Sequence, residues 1–155
     1  VTRRIVIPGD PLNEFDNAED LKRLRDPKLT RALAGRVLFL DDSHTRWKTF
    51  RSLHPQADRV ETAHAAVRAL ERSVVLVRPF HAVCLDHDLG GEHFVDSSRR
   101  DCGMEVVRYM VKMRPPVGHV IVHTNFAEAG KTMRHMLRAA GYDVVYWPFG
   151  WDWCR

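Results

Sequence analysis

Ala82-Val83-Cys84-Leu85-Asp86-His87-Asp88 is the stretch on which the fold turns. Four consecutive apolar residues run directly into three polar ones. A short, continuous apolar run reads as a strand buried on both faces, which is what a parallel sheet requires. The same pattern appears earlier, in Val37-Leu38-Phe39-Leu40-Asp41-Asp42, and later, in Val120-Ile121-Val122-His123-Thr124-Asn125. In an open parallel α/β sheet, ligands sit beyond the carboxyl ends of the strands. Three polar clusters at three such ends are therefore expected to meet in one place.

Working outward, the spacing predicts a regular alternation from Arg36 onward. After the strand at Val37 to Leu40, Trp47, Phe50 and Leu53 recur at three-residue steps and predict a helix closed by Pro55. Asp58 to Thr62 reads as a weak second strand, and Thr62 as the cap of a helix with Ala66, Val67 and Leu70 inward. Ala82 to Leu85 is the third strand. Gly103 opens a helix with Met104, Val107 and Val111 inward, stopped by Pro115-Pro116. His119 to Val122 is the fourth strand. A helix from about Ala127 to Ala140 follows, ended by Gly141, and Asp143 to Tyr146 is the fifth strand. This alternation predicts a five-stranded parallel sheet with helices on both faces. Residues 1–35 read as an extension packed on this domain, with a short strand at Arg4 to Ile7 and a helix over Asn17 to Leu29. Residues 36–155 form the α/β domain.

The 155 residues suffice for one well-filled core. No apolar run approaches the roughly 20 residues that span a bilayer, and no leader-like segment is legible. Three cysteines, Cys84, Cys102 and Cys154, share no metal-type spacing, so a reducing cytoplasm is the expected setting. A net charge of +4 is too small to argue for nucleic acid by itself, but it permits a phosphate-bearing ligand. Nothing calls for a membrane or an obligate protein partner.

The order of these signals resembles the receiver domain of two-component response regulators. Asp41-Asp42 is similar to the acidic pair after the first strand, and Asp86 takes the place of the phosphoacceptor. Asp101-Cys102-Gly103-Met104 is similar to the Asp-x-Gly turn, and Trp147-Pro148-Phe149 to the Lys-Pro-Phe that ends the fifth strand. The resemblance covers roughly Arg36 to Phe149. It implies a flavodoxin-like, three-layer sandwich with strand order 2-1-3-4-5, and it allows a cis Trp147-Pro148 bond. Three departures stand out. Trp147 replaces the receiver lysine, His87-Asp88-Leu89-Gly90-Gly91 follows the acceptor, and the fourth strand ends in His123-Thr124-Asn125. With these, the chain is similar to a receiver-like group proposed to process cyclic phosphates of nucleotides or RNA ends.

Asp41, Asp42, Asp86 and Asp88 would then lie close together. Two like charges about 4 Å apart repel by ~4 kcal/mol at an effective dielectric near 20. Either some take up protons or a cation compensates. Helix capping accounts for two of the four at most. An oxygen-rich site suits Mg²⁺ or Mn²⁺, with Asp41, Asp42 and Asp86 as ligands. Zn²⁺ becomes competitive only if a histidine joins the set.

Opening a phosphodiester requires a base and an acid. His87 and His123 are the expected proton carriers, with Asp88 beside them; a structural hydrogen bond at a strand end is the alternative for each histidine. Arg46 could hold a phosphate with its fork or make a helix-surface ion pair. Asn125 and Thr124 offer donors to a phosphoryl oxygen, and Lys131 a second cation. Trp147, in the lysine's place, could floor a nucleotide pocket, whereas Trp151 and Trp153 read as cover for the core edge. The long loop from Leu89 to Cys102 reads as a lid or as an insertion.

The expected function is thus a metal-dependent phosphoesterase acting on cyclic phosphates of nucleotides or RNA ends. Two alternatives stay open: a divergent receiver phosphorylated on Asp86, and a non-catalytic metal- or nucleotide-binding module.

Overall fold

Each apolar run forms a strand, and the five strands make one parallel sheet: β1 (Val37–Leu40), β2 (Asp58–Val60), β3 (Phe80–Leu85), β4 (Val117–Val122) and β5 (Val144–Tyr146). These come from a computed structural model that describes residues 26–148. The order is β2-β1-β3-β4-β5, the flavodoxin-like, receiver-like arrangement. Register places Leu40 against Leu85, and Leu85 against Val122. The residues that follow these three therefore emerge together at one rim.

Among the described residues, five helices cover the sheet: α1 (Pro27–Leu33), α2 (His44–Leu53), α3 (Ala63–Val75), α4 (Gly103–Met113) and α5 (Ala127–Ala139). Strand alternation divides the core in two. Leu38, Leu40, Val83, Leu85, Val120 and Val122 face α3, α4 and α5, which contribute Leu70, Met110, Met133 and Leu137. Val37, Phe39, Ala82, Cys84, Ile121 and Val145 face the other way, under Phe50 of α2 and Leu29, Ala32 and Leu33 of α1.

The caps follow the sequence. Thr62 accepts from the Ala65 N–H, and Gly141 leaves α5 with φ 96°. In α2 only Phe50 of the expected apolar row is fully buried. Trp47 is partly buried and Leu53 is exposed, because the sheet edge it would cover is short. In α4, Val106 and Met110 are buried, while Val111 lies at the margin.

The expected strand at Arg4 to Ile7 lies outside the described residues, as do Trp151 and Trp153 and most of the helix expected over Asn17 to Leu29. At the described end of that segment a helix starts later. Asp26 accepts from the Lys28 N–H, Pro27 sits in the first turn, and α1 continues to Leu33. The described residues contain no cis peptide, so the Trp147-Pro148 bond is trans. Among the described residues no helix is long and apolar enough to cross a membrane.

Candidate functional site

Asp41 leaves β1 fully buried, its N–H donating to Val60 O as the ladder ends. Its carboxylate turns back on the chain. Oδ1 accepts from the Ser43 N–H at 2.8 Å, and Ser43 in turn caps α2. One turn into α2, Arg46 folds over the same carboxylate, Nε to Oδ2 at 2.7 Å and Nη2 to Oδ1 at 2.8 Å. Nη2 also reaches Asp86 Oδ2 at 3.1 Å and lies 3.8 Å from Asp42 Oδ1. Of the two readings of Arg46, a phosphate grip and an ion pair, the structure shows an ion pair, made to buried Asp41 rather than on the helix surface.

Asp86 directly follows β3 and is 4% exposed. Its Oδ1 accepts from the His87 N–H at 2.8 Å. Behind it, Gly103 N–H donates to His87 O at 2.8 Å, and a Cβ on Gly103 would fall 1.8 Å from Asp86 O. Only glycine permits that approach, which is the physical content of the turn read at Asp101 to Met104. Asp41, Asp42 and Asp86 each offer an oxygen within 4.8 Å of the others.

Burial, then the charge of Asp41, pushes the Asp86 carboxyl up to about 7; Arg46 and the hydrogen bonds from His87 and Thr124 pull the other way. Burial opposes the charge on Arg46, yet its bonds to Asp41 and the charges of Asp41, Asp86 and Asp42 raise its pKa.

His123 follows β4, is 1% exposed and stacks flat on Phe39, with centroids 5.0 Å apart. Its Nδ1 lies 3.8 Å from Asp41 Oδ2. Burial drives its pKa down to about 4 against the pull of Asp41, so it is neutral near pH 7. Thr124 is buried, its carbonyl accepting from Tyr146 Oη at 3.0 Å. Asn125 is exposed beside it. Asp42, Asp86, Asp88, Arg46, His123, Thr124 and Asn125 line one cleft of about 360 Å³, a size ordinary for small-molecule sites.

Three expected site residues are elsewhere, and Asp88 has another role. The His87 ring is enclosed, with Nδ1 2.7 Å from Asp88 Oδ1 and Nε2 2.8 Å from Ser97 Oγ. Both ring nitrogens are thus committed to the loop. Burial opposes protonation of His87, but Cys102 and Asp88 raise its pKa. Asp88 lines the cleft, yet its oxygens also accept from the Phe94 and Val95 N–H groups at 2.7 and 3.1 Å. Trp147 donates its N–H to Val122 O and packs its ring against the Phe39 side of the core, so it does not floor the cleft. Lys131 is half-buried in α5 and lines no part of it.

The loop from Leu89 to Cys102 is tied down rather than loosely inserted. Besides the Asp88 bonds, Gly91 N–H donates to Asp42 Oδ2 at 2.7 Å, and Arg108 binds the carbonyls of Ser97 and Arg99. Ser43, Gly91, Glu92, His93 and Phe126 also line the cleft; Gly91, Glu92 and His93 come from the loop read as a lid or an insertion, and Ser43 and Phe126 were not singled out by sequence. For Ser43 the signal was present, a capping residue directly after an acidic pair. The others depend on where the loop lands.

A sequence model described as the cyclic-phosphate processing receiver domain matches residues 36–139. No curated protein matches the chain. Among solved structures, one described as a yeast Spc42 trimeric coiled-coil segment fused to another structure is similar, at 17% identity and a TM-score of 0.47. That likeness covers 72% of this chain and 64% of the other, and it adds nothing to the reading of the site.

Proposed function

The chain belongs to the cyclic-phosphate processing receiver family, and on that premise we propose that it is a divalent-cation-dependent phosphoesterase that opens cyclic phosphates. One observation carries this reading: Asp42 and Asp86 line a cleft that also presents His123, Thr124 and Asn125, and buried Asp41 offers a carboxylate oxygen within 4.8 Å of theirs.

The donor set fits a hard cation. Three carboxylates offer oxygens within 4.8 Å; Arg46 bonds those of Asp41 and Asp86, the Arg59 guanidinium donates to the Asp41 and Asp42 carbonyls, and burial still holds the Asp86 carboxyl up near 7. A bound cation would shield an incoming phosphate from the carboxylates it would otherwise meet. Asp41 already holds Arg46 through both oxygens, so Asp42 and Asp86 would supply most of the ligation. A bound divalent cation would supply Lewis-acid polarisation of a phosphoryl oxygen and acidify nearby water.

In ring opening, a water oxygen bonds to phosphorus while one ribose oxygen departs. The water loses a proton and the departing oxygen gains one. His123 is neutral at pH 7 and can accept that proton, although a base with a pKa near 4 is weak. Arg46 holds the orientation of Asp41 and Asp86, and Asn125 can donate to a phosphoryl oxygen from the open side of the cleft. His87 supports the reaction only through the loop it anchors.

Purified protein with Mn²⁺ or Mg²⁺ is expected to convert a 2′,3′-cyclic nucleotide to a monoester, and Asp86→Asn to abolish this while keeping the fold. Wild-type protein inert toward cyclic phosphates with every divalent cation, or full activity in Asp86→Asn, would sink the reading.

A further inference from the structure

The cleft has an aromatic lip that the chemistry above leaves unused. Phe126 lines the cleft next to Asn125. Its ring meets His87 at 5.4 Å and 80°, and Phe94 at 5.2 Å and 87°, so it is braced from two sides. Phe94 is 75% exposed. It is nevertheless firmly placed. Its N–H donates to Asp88 Oδ2, and the next residue, Val95, donates to Asp88 Oδ1 and buries its side chain in the core.

The Phe94 backbone sits at φ 52°, in the left-handed region that bulky L residues avoid. Exposure and strain both work against folding, and strained residues of this kind cluster at ligand clamps. The preceding residues, Glu92 and His93, line the cleft, as does Phe126, and the Phe94 ring meets that of Phe126, so Phe94 stands beside the cleft lining rather than within it.

We propose that Phe94 and Phe126 form a nucleobase subsite, so that the substrate is a nucleoside cyclic phosphate rather than a base-free sugar cyclic phosphate. This rests on reading the cleft as a phosphate-processing site. Aromatic side chains stack on the π-face of any base, so the subsite recognises the presence of a base with little regard to which one. Trp147, the sequence's candidate for this task, lies on the Phe39 side of the core; Phe94 of the loop and Phe126 before α5 supply the aromatic surface instead.

The test uses the full chain with Mn²⁺ and two pairs of probes. Binding is measured by calorimetry with a 3′-nucleoside monophosphate and with inorganic phosphate. Turnover is measured with a nucleoside 2′,3′-cyclic phosphate and a methyl riboside 2′,3′-cyclic phosphate. A short oligonucleotide with the same cyclic end, run in parallel, tells a free nucleotide from a chain end. Wild-type protein is expected to prefer the base-bearing member of each pair. Phe94→Ala should cut that preference roughly tenfold, and Phe94→Tyr, which keeps a ring, should retain it.

A preference equal in wild type and Phe94→Ala, or absent from wild type, would overturn the subsite. If both cyclic phosphates are opened equally well, the subsite fails and the phosphoesterase reading stands. If the expected binding pattern appears without turnover, the subsite stands and the phosphoesterase reading fails. If wild type binds neither probe, both fall.

Discussion

Arg46 clasps Asp41 through two hydrogen bonds, at 2.7 and 2.8 Å, and reaches Asp86 with the same Nη2. The acidic cluster therefore already contains one cation, supplied by the chain. Arg46→Gln should leave the buried Asp41 carboxylate poorly compensated. Charge-assisted hydrogen bonds contribute about 1.5–3 kcal/mol, and Arg46 is partly exposed, so a loss near 2 kcal/mol is expected in chelator. Added Mn²⁺ should restore part of it. Denaturant titrations with and without Mn²⁺ decide this, and an unchanged midpoint in chelator would refute it.

Two buried groups should give opposing pH dependences. The folded-state pKa of Asp86, near 7, lies above its unfolded value. The folded protein therefore binds that proton more tightly, and stability should fall as pH rises from about 4 to 7. His123 is lowered to about 4, so stability should fall as pH drops from about 6.5 to 4, where the unfolded chain takes the proton first. Each contribution is on the order of a few kcal/mol. In chelator, Asp86→Asn removes the first and should make stability climb more steeply between pH 4 and 6.5 than in wild type. A shallower climb would contradict these assignments.

The bonds from His87 and Asp88 predict a loop phenotype separable from catalysis. Asp88→Ala removes acceptors from the Phe94 and Val95 N–H groups and from His87 Nδ1. Amide exchange at Phe94 and Val95 should accelerate, with a stability loss of about 1–3 kcal/mol. His123→Ala should leave exchange at those two amides near wild type. Identical loop protection in wild type and Asp88→Ala would show that the loop is held by something else.

Val77 is 83% exposed with φ 51°, just past the end of α3, where the Arg78 N–H donates to Ser73 O. A β-branched residue is disfavoured there, and glycine is the usual occupant. Val77→Gly should raise stability by about 0.5–1 kcal/mol, read from the shift in thermal midpoint. A lowered midpoint would count against the strain.

The sheet and its polar rim were legible because short, continuous apolar runs at regular spacing read as strands buried on both faces, and because three of them end abruptly in acids or a histidine. Asp41, Asp42, Asp86, His123, Thr124 and Asn125 could be grouped from that alone. The ring of His87 could not be placed. Its direction depends on Ser97, ten residues on, and no periodicity reports where a loop residue lands. Arg46 was found for its type and its turn of helix, but its partner was missed, since a guanidinium near three carboxylates binds the nearest buried one. Trp147 misled because it takes the lysine's place in the receiver pattern, whereas its bulk packs against the core cluster that contains Phe39 and Val145.

α1 lies before the segment that matches the family, yet it packs on β3 and β4, and its Leu29, Ala32 and Leu33 belong to the same buried cluster as Ala82, Cys84 and Ile121. The homologous unit and the cooperative unit are therefore different lengths of chain. A fragment beginning at Arg36 would keep every catalytic candidate while laying bare a greasy flank across the middle strands, and would be prone to self-association for reasons unrelated to its chemistry.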